Sequence, residues 1–279
     1  MIGTGHVGLV TAATFAEIGH DVVGVDTDEE KVARLRRGVC PFFEPGLQEI
    51  VDRGVAAGRL RFHTDAGAAV ARAEAIFICV GTPTRPDGSA DLLAVERAMH
   101  GIAPHLSAPV VVVEKSTVPA GTAGRLRQIL ARERPDLAGE IDVVSNPEFL
   151  REGQAVEDSL HPARILVGAA STRAFETMRR LYEPFIRAGH PLMETDIASA
   201  EIAKHACNAF LAVKISYANA LARLCERSGA DVVAVADVMG SDPRIGRAFL
   251  DAGLGYGGSC LPKDLQAFEH LSHRLGYDF

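Results

Sequence analysis

Long hydrophobic runs are missing from this sequence. No apolar stretch approaches the roughly 18 residues that cross a bilayer, and no basic N-terminal segment leads into one. The expectation is a protein without a membrane span, placed in the cytoplasm. A basic excess is missing as well: 29 Lys and Arg stand against 36 Asp and Glu, giving a net charge of -7 and a pI near 5.8. That leaves no electrostatic footprint for a phosphate backbone, so no nucleic-acid partner is expected and a small molecule is the default one. Paired cysteines are missing too. Cys40, Cys79, Cys207, Cys225 and Cys260 are an odd, scattered set with no CxxC and no Cys/His cluster at ligand spacing. Neither disulfides nor zinc are expected. Cys79, Cys207 and Cys225 sit in apolar segments and read as small buried hydrophobes; Cys260 alone sits among glycines. What is present is 47% hydrophobic and 23% charged residues over 279 positions, enough for a sizeable core and more than one domain.

Short β-branched runs bounded by turn residues recur at 21–26, 75–84, 109–119, 141–149 and 164–169. They alternate with helix-patterned stretches such as 29–37, 93–106 and 122–134. That rhythm predicts an α/β domain with a doubly wound parallel sheet, covered by helices on both faces. Near Thr195 the rhythm changes. Residues 199–229 contain no internal Gly or Pro and predict one long helix of roughly 40 Å, with Ser199 as N-cap, Glu201 in the first turn and Gly229 as the stop. Its apolar residues lie on nearly every face, as in a connector between domains or a dimer core. Short helices are expected at 232–239 and 245–250. The division is therefore a Rossmann-type domain over 1–194 and a mainly helical domain over 195–279.

The opening "MIGTGHVGLV" sets Gly3, Gly5 and Gly8 in a GxGxxG pattern before a helix, with Asp26 at the end of the next strand. Such glycines give a tight turn, close approach to a pyrophosphate and close helix packing, while the acid accepts hydrogen bonds from a ribose diol. Thr27 and Asp28 follow Asp26 where an arginine would be needed for a 2'-phosphate, so NAD is favoured over NADP. Only Met1 and Ile2 precede Gly3, which leaves the strand that presents the turn short. Thr82 in "VGTPT" and Thr117 in "KSTVPAGT" follow strands of the same domain. They either donate hydroxyls to a cofactor at the carboxyl ends of the strands or serve turns and caps.

Lys204 and Asn208 share one face of the long helix, one turn beyond Glu201. Buried, they would polarise an oxygen during hydride transfer; exposed, they would be a solvated stripe. Glu148 and Glu152 in "NPEFLREG" follow a strand and fit either general base chemistry or a helix cap. In "GYGGSCLPKD" the glycines allow close wrapping around a ligand. Lys263 and Asp264 follow Cys260 closely enough to support a nucleophilic thiolate.

Taken in order, "GTGHVGLV", "VGTPTRPDGSADL", "KSTVPAGT", "NPEFLREGQAVEDSLHPARILVG", "SAEIAKHACNAFLAVKISYANALA", "GSDPRIG" and "GLGYGGSCLPKD" resemble the UDP-glucose/GDP-mannose dehydrogenase family across essentially the whole chain. The resemblance implies oxidation of a nucleotide sugar's primary alcohol to a carboxylate, with UDP-glucose expected first. Other nucleotide sugars, a related β-hydroxyacid dehydrogenase and an inactive NAD-binding or dimerising module are the alternatives. It implies contacts to NAD from His6, Val7, Asp26, Lys31, Thr82, Thr117, Glu152 and Lys263. It implies contacts to the sugar nucleotide from Glu148, Phe149, Leu150, Glu152, Lys204, Asn208 and the loop carrying Phe249, Leu250, Gly253, Gly255, Tyr256 and Gly257. Arg244 would reach a neighbouring subunit's substrate in a homodimer built on the long helix. Cys260 would be the nucleophile, with Asp264 as its partner, Glu148 as the base for hydrolysis and Thr117 beside the chemistry. The family's further nucleotide-binding domain is expected to be absent. His6, Leu261 and Ala220 depart from the family's usual aromatic, Phe and Glu.

Overall fold

The computed structural model describes residues 1–107 and 110–279. Pro109, expected to open a strand, lies outside the described residues. The chain divides into two compact units: Met1–Thr82 with Asp91–Ile202, and Pro83–Ala90 with Ala203–Phe279.

The first unit is built on β1 (Val22–Val25), β2 (Leu60–His63), β3 (Ala75–Ile78), β4 (Val111–Glu114), β5 (Asp142–Ser145), β6 (Ile165–Gly168) and β7 (Leu192–Thr195). β1 pairs with β2, and β3 to β7 lie side by side in sequence order. Ile2 bridges the two sets, pairing in parallel with Val25 and Ile78. Its amide donates to the Phe77 carbonyl at 2.7 Å, its carbonyl accepts from Cys79 at 2.8 Å, and the Gly3 amide donates to Val25 at 2.7 Å. The strand expected to be short is thus a single residue bonded on both sides. Counting it as a strand, the order reverses between Ile2 and β3, which is where a doubly wound sheet opens a crevice at the carboxyl ends of its strands.

One feature departs from the expected parallel sheet. β5 and β6 are antiparallel, and β6 pairs in parallel with β7, so the last two strands run against the rest. The local apolar pattern of a strand carries no direction, and a strand at either polarity buries the same residues.

Alternate side chains of the strands go to opposite faces. Val111 and Val113 join one apolar cluster, with Leu9, Ala13 and Phe15 of α1 (His6–Glu17) and Leu47 and Ile50 of α3 (Leu47–Ala56). Val110 and Val112 join the other, with Val95 and Met99 of α5 (Leu93–Ile102) and Leu126 and Leu130 of α6 (Thr122–Glu133). Between these helices lie α2 (Glu29–Arg36) and α4 (Ala66–Val70), and α7 (Ala155–Leu160), α8 (Thr172–Leu181) and α9 (Glu183–Arg187) follow.

The long helix α10 runs Ile197–Ser228, 32 residues, or roughly 48 Å. Its cap is not Ser199: the Asp196 carboxylate accepts the Ser199 amide at 2.9 Å and the Ser199 hydroxyl at 2.6 Å. An acid three residues before the amide reaches it better than a serine already inside the helix. Gly229, at φ +74°, ends the helix as expected. In the second unit α11 (Val232–Gly240) and α12 (Leu261–Arg274) follow. The helix expected at 245–250 is instead a run of turns. Gly246 and Phe249 both take left-handed backbone, at φ +69° and +65°, which breaks the helical repeat. The His205 ring of α10 stacks on Phe268 of α12, with centroids 6.1 Å apart. Among the described residues no helix is long and apolar enough to cross a membrane.

Candidate functional site

The glycine turn sits where the sheet order reverses. Gly3 has φ +94°, and a Cβ at Gly8 would lie 2.0 Å from the Gly3 carbonyl oxygen, so the turn closes only around a glycine at that position. At Gly5 a Cβ would meet nothing within 4 Å. Gly5 is also the N-cap of α1 and offers no side-chain cap. Open space over uncapped amides at the start of a helix, with His6 and Val7 as its first residues, fits a pyrophosphate.

Asp26 completes this cradle. Its carboxylate accepts from the Thr4 amide and hydroxyl, each at 2.9 Å, from the Asp28 amide at 3.1 Å and from Lys31 Nζ at 2.8 Å. Burial pushes its pKa up, but the bonds from Lys31, Thr4 and Asp28 outweigh that and hold it below the usual carboxylate range. The expected cofactor residues Gly3, Gly5, His6, Gly8, Asp26 and Lys31 are therefore gathered around one turn. Two more loops end beside this sheet edge. Thr82, buried, donates its hydroxyl to the Thr117 carbonyl at 2.8 Å and so ties the loop after β3 to the loop after β4.

After β5 the chain enters a buried polar network that the sequence did not announce. Asn146 accepts from the Tyr182 hydroxyl at 2.6 Å and from Lys115 Nζ at 3.2 Å, and donates to the Leu166 carbonyl at 2.7 Å. It anchors the segment on which Glu148, Phe149, Leu150 and Glu152 follow. Glu148 is buried and accepts the Leu150 amide at 2.5 Å, while Glu152 is exposed. Arg164 lies over the Phe149 ring at 3.8 Å. Neither glutamate caps α7. That role falls to Glu44, a buried residue passed over in the sequence, whose carboxylate accepts the Gly153 amide at 3.0 Å and the Ala155 amide at 2.8 Å. Glu201 does the same for α6, accepting from Gly121 at 2.7 Å and Ala123 at 2.9 Å.

Beside the Thr117 loop, Glu114 is buried in β4 without a well-formed hydrogen bond to either carboxylate oxygen. Burial pushes its pKa up to about 8; Ser116 offers partial support from hydrogen-bond donors, and the like charge of Glu201 adds to the rise.

The second unit holds the residues expected to carry the chemistry. Lys204 and Asn208 are buried, at 4% and 9% exposure, so they are not a solvated stripe. Asn208 donates to Asp264 Oδ2 at 2.7 Å, Lys263 Nζ donates to Asp264 Oδ1 at 2.5 Å, and the His205 ring meets the Asp264 carbonyl at 3.2 Å. Asp264 is 1% exposed. Its carboxylate is engaged by Asn208 and Lys263, one turn below Cys260, whose thiol lies 3.6 Å from the Ser259 hydroxyl. Cys260 is exposed and is the N-cap of α12. The thiol thus stands at a helix N-terminus.

The glycine-rich segment before it is tethered from α10. Lys214 donates to the Ile245 and Gly246 carbonyls at 3.1 and 3.3 Å, and Asn219 accepts the Gly253 amide at 2.8 Å. Arg247 bonds Asp237 and Asp251, each at 2.6 Å. These ties leave Gly253, Gly255, Tyr256 and Gly257 exposed and Leu250 buried. Phe249 is the one residue other than glycine at positive φ among those described, a strain of the kind kept at ligand loops. Arg244 is exposed and paired with Asp242 at 2.6 Å.

Comparison with known proteins shows the family of both units. The NAD binding domain of the UDP-glucose/GDP-mannose dehydrogenase family matches residues 1–186, and the family's central domain matches residues 198–279. The UDP-glucose 6-dehydrogenase YwqF of Bacillus subtilis is 46% identical over 279 residues, covering 100% of this chain and 62% of that enzyme. The Pseudomonas aeruginosa UDP-glucose 6-dehydrogenase is 48% identical, again over 62% of its length. The chain thus spans about three fifths of the curated relatives it matches. A UDP-glucose dehydrogenase structure from Pyrobaculum islandicum superposes with a TM-score of 0.92 at 45% identity, covering 99% of this chain and 64% of that one. The glycine turn with Asp26, the Lys204–Asn208 face and the Cys260 helix start thus lie in matched domains, and the chain belongs to the UDP-glucose/GDP-mannose dehydrogenase family.

Proposed function

We propose that this chain carries the cofactor and catalytic parts of an NAD-dependent UDP-glucose 6-dehydrogenase, which oxidises the C6 alcohol to a carboxylate in two steps. The observation that carries this is the buried Asn208–Asp264 pair, with Lys263 bonded to the same carboxylate and Lys204 buried one helical turn before Asn208, in the unit that carries an exposed Cys260 at a helix N-terminus. The substrate assignment follows identity: named UDP-glucose enzymes match at 46–48%, whereas solved structures of a GDP-mannose and a UDP-D-ManNAc dehydrogenase match at 31% and 28%.

In this reading the first unit is the NAD-binding domain and the second is a helical catalytic domain. Gly3, Gly5, His6, Val7 and Gly8 hold the pyrophosphate, and Asp26 and Lys31 the ribose. Thr82, Thr117, Glu152 and Lys263 hold the rest of the cofactor. NAD⁺, when bound, supplies a hydride acceptor for each oxidation, two in all. Lys204 and Asn208 stabilise negative charge on the C6 oxygen, as a buried cation and amide do best. Cys260 adds its sulfur to the aldehyde carbon and gives a thiohemiacetal; oxidation of that adduct leaves a thioester. Glu148 takes a proton from water, whose oxygen attacks the thioester carbonyl, and the Cys260 sulfur leaves. Two hydrides and one water oxygen account for the change from alcohol to carboxylate. Asp264 holds Asn208 and Lys263 in place and receives the thiol proton. Phe149, Leu150, Phe249, Leu250, Gly253, Gly255, Tyr256 and Gly257 contact the sugar nucleotide.

The active form in this reading is a homodimer. Phe210, Val213, Tyr217 and Leu224 expose 54–64% of their surface along α10 at helical spacing. Such an apolar stripe marks an interface, and Arg244 would then reach the partner's substrate. An exposed reactive thiol suits the reducing cytoplasm. The decisive experiment measures NADH formed per UDP-glucose. Two equivalents are expected, with Cys260→Ala halting before the second. One equivalent with free aldehyde from the unmodified chain would refute the two-step scheme.

A further inference from the structure

We infer that Glu44 is a positioning residue for the cofactor site, holding the glycine turn and the Glu152 loop in one geometry. The inference rests on the reading of the first unit as the NAD site and adds a residue to it. Glu44 lies 109 positions from Gly153 in sequence, yet Oε2 accepts the Gly153 amide at 3.0 Å and Oε1 the Ala155 amide at 2.8 Å. The same Oε2 stands 3.4 Å from His6 Nε2, a buried ring nitrogen that makes no well-formed hydrogen bond. The Glu44 side chain is 1% exposed, so the carboxylate is screened from water on all sides.

Three facts make this more than a helix cap. Gln154, the N-cap position of α7, provides no side-chain bond, so the Gly153 and Ala155 amides are met by Glu44 from outside the loop, while Arg151 is tied locally to Asp158. Gly153 sits at φ +82°, directly after Glu152, so the amide that Glu44 holds belongs to the peptide that joins Glu152 to Gly153. His6 is the first residue of α1, next to the turn that receives the pyrophosphate, and its ring stacks on Phe42 at 4.9 Å, two residues before Glu44. The segment is itself pinned, because the Leu47 amide donates to the Glu44 carbonyl at 3.1 Å and Leu47 is fully buried. One carboxylate therefore joins the start of α1 to the loop after β5. A buried carboxylate that accepts two backbone amides is a strong, geometrically specific tie. Glutamine in its place accepts only one of the two, since its NH₂ group would face an N–H donor.

The test is a fluorescence titration of NADH into the full chain and its Glu44→Gln variant, with thermal melting in parallel. Loss of one charge-assisted bond at the cradle should weaken NADH binding roughly 10-fold and raise the KM for NAD⁺ by a similar factor. Glu44→Asp, which keeps the charge with a shorter reach, should recover part of the loss. Should Glu44→Gln alone not fold, the double change with Gln154→Ser supplies α7 with its own cap, and the same weakening is expected. An unchanged NADH dissociation constant beside a lowered melting temperature would reduce Glu44 to a structural cap and overturn the inference. A wild-type chain that binds no NADH would sink the cofactor-site reading instead, and this inference with it.

Discussion

Replacing Glu114 by glutamine should make the first unit more stable at neutral pH, with the gain growing as pH rises. Glu114 is 1% exposed, and burial pushes its pKa up to about 8 from an ordinary 4.5. The folded chain therefore holds a proton that the unfolded chain releases. With the folded pKa raised, the contribution of Glu114 is fully present below pH 4.5 and is lost as pH climbs toward 8. Each pH unit within that window costs roughly 1.4 kcal/mol, so moving from pH 5.5 to 7.5 removes about 3 kcal/mol. Glutamine has a closely similar shape and no proton to lose. Urea unfolding of both proteins at pH 5.5, 6.5 and 7.5 isolates the effect, because other titrating groups largely cancel in the difference. The variant should gain about 3 kcal/mol on the wild type across that range, at equal m-value. Unfolding curves that stay parallel with pH would show that Glu114 ionises normally in the fold and would refute the reasoning.

Two further outcomes follow from the geometry. Gly8→Ala places a methyl 2.0 Å from the Gly3 carbonyl oxygen, so the turn must open, at a cost on the order of 3 kcal/mol; NADH binding should fall at least 100-fold by fluorescence titration, and an unchanged affinity would show that the turn does not carry the cofactor. Tyr217→Glu puts a charge in the exposed apolar stripe of α10 and should shift sedimentation from dimer to monomer, whereas a wild type that already sediments as a monomer would remove the dimer from the proposed function.

The fold was legible wherever a segment's pattern depends only on its own residues. Five strands and the long helix follow from apolar runs and from the lack of Gly and Pro, and Gly229 ends α10 because only a residue tolerant of left-handed backbone fits there. Legibility failed where a choice is made by a neighbour. Ser199 carries the local signature of a cap, but Asp196 reaches the same amide with a stronger acceptor. The apolar residues at 245–250 fit a helix until Gly246 and Phe249 turn left-handed to feed a loop held by Lys214, Asn219 and Arg247. The direction of β6 is set by the path of the chain around β5, and nothing in "RILVGA" encodes it.

The same division runs through the site. GxGxxG with Asp26 can be read because a nucleotide cradle is made by residues close in sequence. Lys204 and Asn208 could be placed on one face but not assigned to solvent or interior, since their burial depends partly on Asp264, 56 positions beyond Asn208. Cys260 drew attention as a thiol among glycines, yet its distinguishing property is the helix that begins beside it, and Pro262 in the first turn was the available signal. Glu44 left the faintest trace. "PFFEPGL" looks like a loop, and a glutamate before Pro-Gly ordinarily faces water. A buried carboxylate between two exposed neighbours, Phe43 and Pro45, is explained only by the amides it finds, and these are more than a hundred residues away. Residues that touch ligands tend to sit in motifs because their partner is outside the chain. A residue that positions them has its partners within the chain at any separation, which is why Glu44 had to be found from its hydrogen bonds.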